Sequence, residues 1–428
     1  MARLKSNEEA WEILFEYYNI LEHIKQDGYF IIKAEEINEY REARLMTKFD
    51  NSDALPKIFK NNNLAILPIA NGEYMIANFC VYEKFDLNEP EIEKVPFPEY
   101  IQSLDSNAIN SEAIAINCAY VTKMLEKFLN EEELVPTISG KMGAGEFEFE
   151  IQGKNEQKYS VEVKNARIEI DGGYEGVNSL AIIEAKNYVS SDFMVRQLYY
   201  PYRVWKNRVA KDVRPVYIVY SNGIFNFYEY KFEDERDYSS LKLINHKRYS
   251  IEETSIEVKD LEELLLHTEF LNEPEIPFPQ ANDFERVINL CELLAISEQT
   301  ALEITENYAF DSRQTNYYTD AGRYLGLIDK ARKESSGDVY FFLTDDGKNI
   351  LKQKYKQRQL LFAIKILSHK IFNDILNKYF NDGIMPSDDF IVEKMKEANL
   401  YNITQDSTYK RRASTIKRWV EWIVKLID

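Results

Sequence analysis

The 428-residue chain is poor in the residues that most often cross-link proteins or hold metals. It has 3 cysteines, Cys80, Cys118 and Cys291, far apart and without Cys-x-x-Cys spacing. That argues against a disulfide framework or a cysteine zinc site and suits a reducing, cytoplasmic setting. Its 4 histidines, His23, His246, His267 and His369, are scattered, so a histidine metal centre is not expected. No apolar run approaches the ~18 residues of a membrane span, and the first residues do not lead into a signal-peptide core. No membrane association is therefore expected. Low-complexity tracts and solenoid periods are missing as well. Positive charge is also short, with 53 Lys and Arg against 72 Asp and Glu and a net charge of −19. At face value that disfavours a nucleic-acid partner.

What is present suits a folded protein: 45% hydrophobic and 29% charged residues, at a length expected to make about three domains. The charge is polarised. Leu351–Asp428 carries 15 Lys and Arg against 9 Asp and Glu, net +6, while the remainder carries 38 against 63. A basic end on an acidic chain is a reason to consider nucleic acid, although a small basic helical domain is also ordinary.

Two Pro-rich passages punctuate the chain, Asn88-Glu89-Pro90-Glu91-Ile92 with Pro96-Phe97-Pro98, and Asn272-Glu273-Pro274-Glu275-Ile276-Pro277-Phe278-Pro279. Prolines this close remove backbone donors and fix φ, so both passages read as stiff linkers. The expected parts are an N-terminal α+β domain (1–95), a central domain (96–272), and C-terminal regions 273–350 and 351–428. Periodicity predicts a helix from about Asn7 to Lys25 and a hairpin around Asn71-Gly72. In the central domain it predicts a helix from Ser111 to about Leu129, then strands over Glu146–Ile151, Tyr159–Val163, Arg167–Asp171 and Leu180–Ala185. A helix from Asp192 to about Val209 and a strand over Pro215–Tyr220 follow, which together make a mixed sheet with helices packed on it.

The chemistry concentrates in Ile168-Glu169-Ile170-Asp171-Gly172-Gly173 and Leu180-Ala181-Ile182-Ile183-Glu184-Ala185-Lys186. Period-2 alternation puts Glu184 and Lys186 on one face of a strand, and an antiparallel neighbour would bring Asp171 beside them. Two carboxylates converging there suit Mg²⁺, a hard cation that prefers oxygen. The adjacent ammonium could orient or help deprotonate an attacking water while the metal stabilises charge developing on a phosphodiester. The alternative is a Glu–Lys cross-strand pair at the surface, capping a buried strand.

Asp171…Glu184-Ala185-Lys186 resembles the motif of the PD-(D/E)XK nuclease superfamily. The text from Arg167 to Asn187, then Phe193 and Arg196-Gln197-Leu198-Tyr199-Tyr200-Pro201, is similar to one group of bacterial type II restriction endonucleases. So are Tyr40-Arg41-Glu42 to Lys48-Phe49-Asp50 and Pro277-Phe278-Pro279-Gln280-Ala281. The first position of the family pattern is Ile170 here, not proline. The resemblance implies an α/β multi-domain protein: a central mixed-sheet PD-(D/E)XK core, an α+β N-terminal domain and C-terminal winged-helix domains. It implies Mg²⁺-dependent, site-specific cleavage of double-stranded DNA to 5′-phosphate and 3′-hydroxyl ends, with Asp171 and Glu184 as metal ligands and Lys186 as the water-positioning base. It also points to Glu112 and Gln197 as helpers. Glu112 is equally a helix-dipole acid beside an N-cap, and Gln197 equally a polar position on an amphipathic helix.

DNA contacts are expected in three places. In a helix following the Asp311-Ser312 turn, Tyr317, Ala321, Tyr324 and Leu325 make an apolar stripe while Arg313, Gln314, Asn316 and Arg323 stay available, with Thr315 a further candidate, and a strand pair with Glu334-Ser335-Ser336-Gly337-Asp338 at its tip follows. This order resembles a winged helix-turn-helix, whose second helix reads base edges; packing or dimerisation is its other use. Lys410, Arg411, Arg412, Lys417 and Arg418 mark a basic helix suited to phosphates. Arg41, Arg44 and Lys48 are N-terminal candidates. Cutting both strands of a palindrome suits a homodimer, and a restriction enzyme implies a cognate DNA methyltransferase as functional partner. The rival readings are a non-catalytic winged-helix regulator and a structure-specific repair nuclease.

Overall fold

A computed structural model describes residues 6–86, 88–106, 108–251, 255–307, 310, 312–333, 337–398 and 400–427. The chain divides into two compact units. The first comprises Met1–Glu93, Glu112–Tyr220 and Phe225–Tyr249; the second comprises Lys94–Ser111, Ser221–Ile224 and Ser250–Asp428. The architecture is mixed α/β with several sheets. Among the described residues no helix is long and apolar enough to cross a membrane.

The first unit opens with two helices, Asn7–Tyr17 and Ile20–Asp27, where periodicity predicted one. Asn19 adopts a left-handed conformation (φ 49°) and breaks the run. Strands β1 (Tyr29–Lys33), β2 (Ala65–Ala70) and β3 (Glu73–Ala77) follow, with β2 and β3 joined by the Asn71-Gly72 turn. Gly72 sits at φ 80°, a left-handed conformation that glycine adopts without strain at the second position of the turn. Next come β4 (Tyr82–Lys84), β5 (Ile92–Lys94) and two helices, Glu112–Val121 and Met124–Leu129. Here too one expected helix is broken by a left-handed residue, Lys123 at φ 64°.

The remaining strands are β6 (Val135–Gly143), β7 (Glu146–Gln152), β8 (Lys158–Lys164), β9 (Arg167–Glu175), β10 (Ser179–Lys186), β11 (Asp192–Met194), β12 (Asp212–Ser221), β13 (Ile224–Phe232) and β14 (Leu241–Ser250). With β1–β3 and β5, all of these but β11 build a seven-stranded sheet ordered β5-β14-β13-β12-β10-β9-β6 and a five-stranded sheet ordered β1-β3-β2-β8-β7. The N-terminal hairpin, within the expected domain 1–95, thus shares a sheet with β7 and β8. The expected helix from Asp192 instead begins at Arg196, because Asp192–Met194 pairs antiparallel with β4.

Strand β10 is the centre of this unit. It runs antiparallel to β9 and parallel to β12, and all eight of its residues are buried. A strand covered on both faces reads as a continuous apolar run, as Leu180-Ala181-Ile182-Ile183 does. Leu180 and Ile182 join a core with Ile168, Ile170, Phe149, Tyr199 and Tyr200.

In the second unit a helix over Phe284–Ile296 is followed by β15 (Gln299–Thr300), helices Ala301–Asn307 and Ser312–Tyr324, β16 (Ile328–Arg332) and β17 (Val339–Leu343). The three strands form a small sheet ordered β15-β17-β16. Helices Asp345–Leu351, Tyr355–Leu367, Lys370–Asp382, Asp388–Glu397 and Asp406–Val424 complete it. Trp419 and Phe372 stack at 5.3 Å in its core. Asp311 and the turn residues Glu334, Ser335 and Ser336 lie outside the described residues.

Candidate active site

The β9–β10 register pairs Ile183 with Gly172, which places Asp171 beside the end of β10. Its Oδ2 accepts a hydrogen bond from the Ala185 backbone N–H at 2.9 Å. Glu184 and Lys186, one pleat apart, point to the same side, and Lys186 Nζ donates to Glu184 Oε1 at 2.5 Å. Gln197 Nε2, from the helix Arg196–Lys206, donates to the same oxygen at 2.5 Å. Glu112, in the first turn of its helix, lies with Oε1 3.7 Å from Lys186 Nζ. Asp171, Glu184, Lys186, Glu112 and Gln197 are therefore brought together.

Glu184 and Lys186 are each 7% exposed, so they are not a surface cross-strand pair. Burying two charges costs several kcal/mol per ion, and such a pair is a poor stabiliser compared with packed apolar side chains. Its presence in a fully buried strand points to use rather than stability. Burial pushes the Glu184 carboxyl up to about 8, and the neighbouring Asp171 and Asp50 charges act in the same direction against the pull of Lys186. Burial alone would lower Lys186, but Glu184, Tyr217, Asp50 and Glu112 outweigh it and hold the ammonium protonated well above its ordinary value. Glu112 is likewise raised by burial, with Lys186 and Lys48 opposing and Asp171 and Asp50 assisting.

Asp50, which the sequence offers only within the Lys48-Phe49-Asp50 stretch and not as a site residue, belongs to this group. Asp50 is 8% exposed, and its carboxylate has one ion-pair partner among the described residues, Lys48 at 3.7 Å. Its loop is tightly fixed. Asp50 C=O accepts from Met194 N–H at 2.8 Å, and Ser52 donates to Asp192 through its N–H (2.8 Å) and its hydroxyl (2.5 Å). Phe49 is buried in the N-terminal core. The sequence signal was the polar Asp50-Asn51-Ser52 run after Phe49; its nearness to β10, some 135 positions away, is a tertiary fact. Lys48, expected as a DNA contact, sits exposed at the edge of this cluster. Arg41 is half-buried, and Arg44 is exposed and paired with Glu42 at 3.1 Å.

The donor set suits a hard cation. Asp171 Oδ1 and Glu184 Oε2 have no partner among the described residues, and Gln197 Oε1 is buried without one. Among the described residues no three His, Cys, Asp or Glu side chains are arranged to enclose a metal. Mg²⁺ needs no such cage, since it is held by one or two carboxylates together with waters and substrate phosphates.

The expected DNA-reading residues behave unevenly. Thr315 is a correction: it is fully buried, with its hydroxyl 2.7 Å from that of Thr305, so it packs the two helices together. Arg323 is largely buried and paired with Asp320 at 3.0 Å. Arg313 and Asn316 are exposed and Gln314 half-buried, with Arg313 Nε donating to Tyr317 Oη at 2.6 Å. Lys410 and Arg411 are exposed. Arg412 is half-buried, its guanidinium lowered by burial and by Arg411 while facing Tyr317 and Asp320. Lys417 and Arg418 are tied to Asp388 at 2.5 Å and Glu421 at 3.0 Å.

Three family models match the chain, each described as a domain of unknown function: DUF6996 over residues 8–76, DUF6997 over 77–250 and DUF7226 over 286–428. The DUF6997 segment contains Asp171, Glu184, Lys186, Glu112 and Gln197, whereas Asp50 and Lys48 fall in DUF6996. No curated protein and no solved structure matches the chain.

Proposed function

We propose that this protein is a Mg²⁺-dependent type II restriction endonuclease, hydrolysing double-stranded DNA at a specific sequence to 5′-phosphate and 3′-hydroxyl ends. The observation that carries the reading is the convergence of Asp171, Glu184 and Lys186 at the end of a fully buried strand, with Gln197 donating to Glu184. That arrangement supports a PD-(D/E)XK core. Asp171 and Glu184 would hold Mg²⁺ through their open oxygens. When bound, the ion supplies Lewis-acid stabilisation of the charge that develops on the phosphate.

The chain's own residues do the rest. Lys186, protonated and fixed by Glu184, presents a donor that orients a water toward the phosphorus; to take that water's proton it would first have to give up its own. Gln197 holds the Glu184 carboxylate and Glu112 adds a second acidic neighbour to Lys186. Burial lowers the local dielectric and strengthens each of these interactions.

The element order from Phe284 to Leu343, helix, short strand, two helices and two strands, supports a winged helix that reads base edges from Arg313, Gln314 and Asn316. Lys410, Arg411 and Arg412 would hold phosphates. A homodimer and a cognate methyltransferase follow from the same reading. Sequencing the ends produced from genomic DNA tests it: the expected result is one short duplex sequence at every cut, with 5′-phosphates. Random ends, or scission confined to branched DNA, would overturn it.

A further inference from the structure

The two sheets of the first unit exchange strands at one place. There β6 passes to β7 through Gly143-Ala144-Gly145, and β8 passes to β9 through Lys164-Asn165-Ala166. Two backbone hydrogen bonds lock the connections together, Ala144 N–H to Ala166 C=O at 2.8 Å and Asn165 N–H to Gly145 C=O at 2.7 Å. Both turns need left-handed residues, Gly145 at φ 68° and Asn165 at φ 55°. A Cβ at Gly143 would lie 2.0 Å from Asn165 Oδ1, so the Asn165 amide takes the space a side chain there would need.

The crossing leaves an open groove of about 360 Å³ lined by Asn71, Lys141, Met142, Gly143, Asn165 and Arg167. In a chain of net charge −19 this lining holds two cations, two amides and no carboxylate. Arg167 is exposed and has no partner among the described residues. Lys141 pairs across the sheet with Glu169 at 3.7 Å, an exposed contact of the kind worth little. Arg167, Glu169 and Asp171 alternate with the buried Ile168 and Ile170, so the groove and the carboxylate cluster share one face of β9. Asp171 lies four residue steps along the strand from Arg167, about 13 Å, which is the rise of about four nucleotides of duplex.

We infer that this groove is a phosphate-binding site that grips the DNA backbone about four nucleotides from the scissile bond. Arg167 and Lys141 neutralise phosphate oxygens, and the Asn71 and Asn165 amides donate from the rim. The inference rests on the nuclease reading, which supplies the duplex as ligand.

Binding of a short DNA duplex to the full chain in EDTA, measured across a salt series, tests it without requiring cleavage. The double variant Lys141→Ala/Arg167→Ala should weaken binding about tenfold or more at moderate salt and lower the slope of log K against log salt by roughly 2. Lys141→Arg/Arg167→Lys should keep the wild-type slope. Lys154→Ala/Lys158→Ala, at the far end of the β7–β8 hairpin, should leave it unchanged. An unchanged slope in the first variant, an equal change in the hairpin-end control, or a wild type that does not bind duplex DNA would overturn the groove. If the wild type cuts plasmid DNA while the groove variant keeps its slope, the groove alone fails. If the slope falls but Mg²⁺ elicits no cutting, the groove stands and the nuclease reading fails.

Discussion

The carboxylate cluster of the first unit and the basic helix Asp406–Val424 of the second handle charge in opposite ways. In the cluster, Asp50, Glu184 and Lys186 are buried, and oxygens of Asp171 and Glu184 have no partner among the described residues. On the basic helix the charges are many but several are spoken for: Lys417 by Asp388 and Arg418 by Glu421. Lys410 and Arg411 stand in solvent without an ion pair within 4 Å among the described residues. A buried charge is expensive to keep and therefore diagnostic, whereas an exposed one is cheap and says little until its partners are known. Net charge over the whole chain or a whole segment averages over this distinction.

The contrast is broken most severely at Asp171. Asp171→Asn removes one of two open carboxylates and should lower Mg²⁺-dependent cleavage by about 10³-fold, a loss of some 4 kcal/mol in transition-state stabilisation. Measured rates within tenfold of wild type would remove it from the site. Asp50→Asn is isosteric, and its loop stays anchored by Ser52 on Asp192. It should lower cleavage by about ten- to a hundredfold with an unchanged melting temperature. A loss of folding with normal specific activity would make Asp50 structural instead.

Titration probes the same difference. The folded Glu184 carboxyl, raised to about 8, binds its proton more tightly than the ordinary carboxyl of the unfolded chain at 4.5. Its contribution to stability is therefore fully present below pH 4.5 and is lost as pH rises through 8. In EDTA the melting temperature should decline across that window. Mg²⁺, competing with the proton, should restore more of it the closer the pH is to 8. Calorimetry in buffers of different ionisation enthalpy should show proton release on Mg²⁺ binding near pH 7, and no release would contradict the assignment.

The basic helix is expected to give the smallest effects. Lys410→Ala/Arg411→Ala/Arg412→Ala should reduce the salt slope of DNA binding by roughly 2 to 3 with little change in the cleavage step. Lys417→Ala/Arg418→Ala should reduce it less, because those cations already have acidic partners. Equal slopes for the two variants would erase the distinction.

Much of the candidate site was legible because it is local. Alternation across Ile168–Asp171 and the apolar run into Glu184 and Lys186 define two adjacent strands, and the pleat alone sets which side chains meet. Gln197 lay on the next helix at a readable offset. What was not legible was either a single left-handed residue, as at Asn19 and Lys123, or a pairing between distant segments. Asp192–Met194 is three residues long and looks like the start of its helix until β4 pairs with it. The sharing of a sheet by β2 and β8, and the placing of Asp50 within electrostatic reach of Glu184 and Lys186, depend on long-range packing that periodicity does not encode. Thr315 was misplaced for a related reason: a hydroxyl on a helix reads as available unless a second hydroxyl, Thr305, is known to face it.

The central claim is that Lys186, fixed between Glu184 and Glu112, serves phosphodiester hydrolysis and not the fold. The most direct test is plasmid cleavage by wild-type and Lys186→Ala proteins over a Mg²⁺ titration, with both shown to be folded by circular dichroism. Discrete fragments from the wild type that need Mg²⁺, and their loss in a folded Lys186→Ala, are the predicted result. No discrete fragments from the wild type, or the same fragments from the variant, would contradict it.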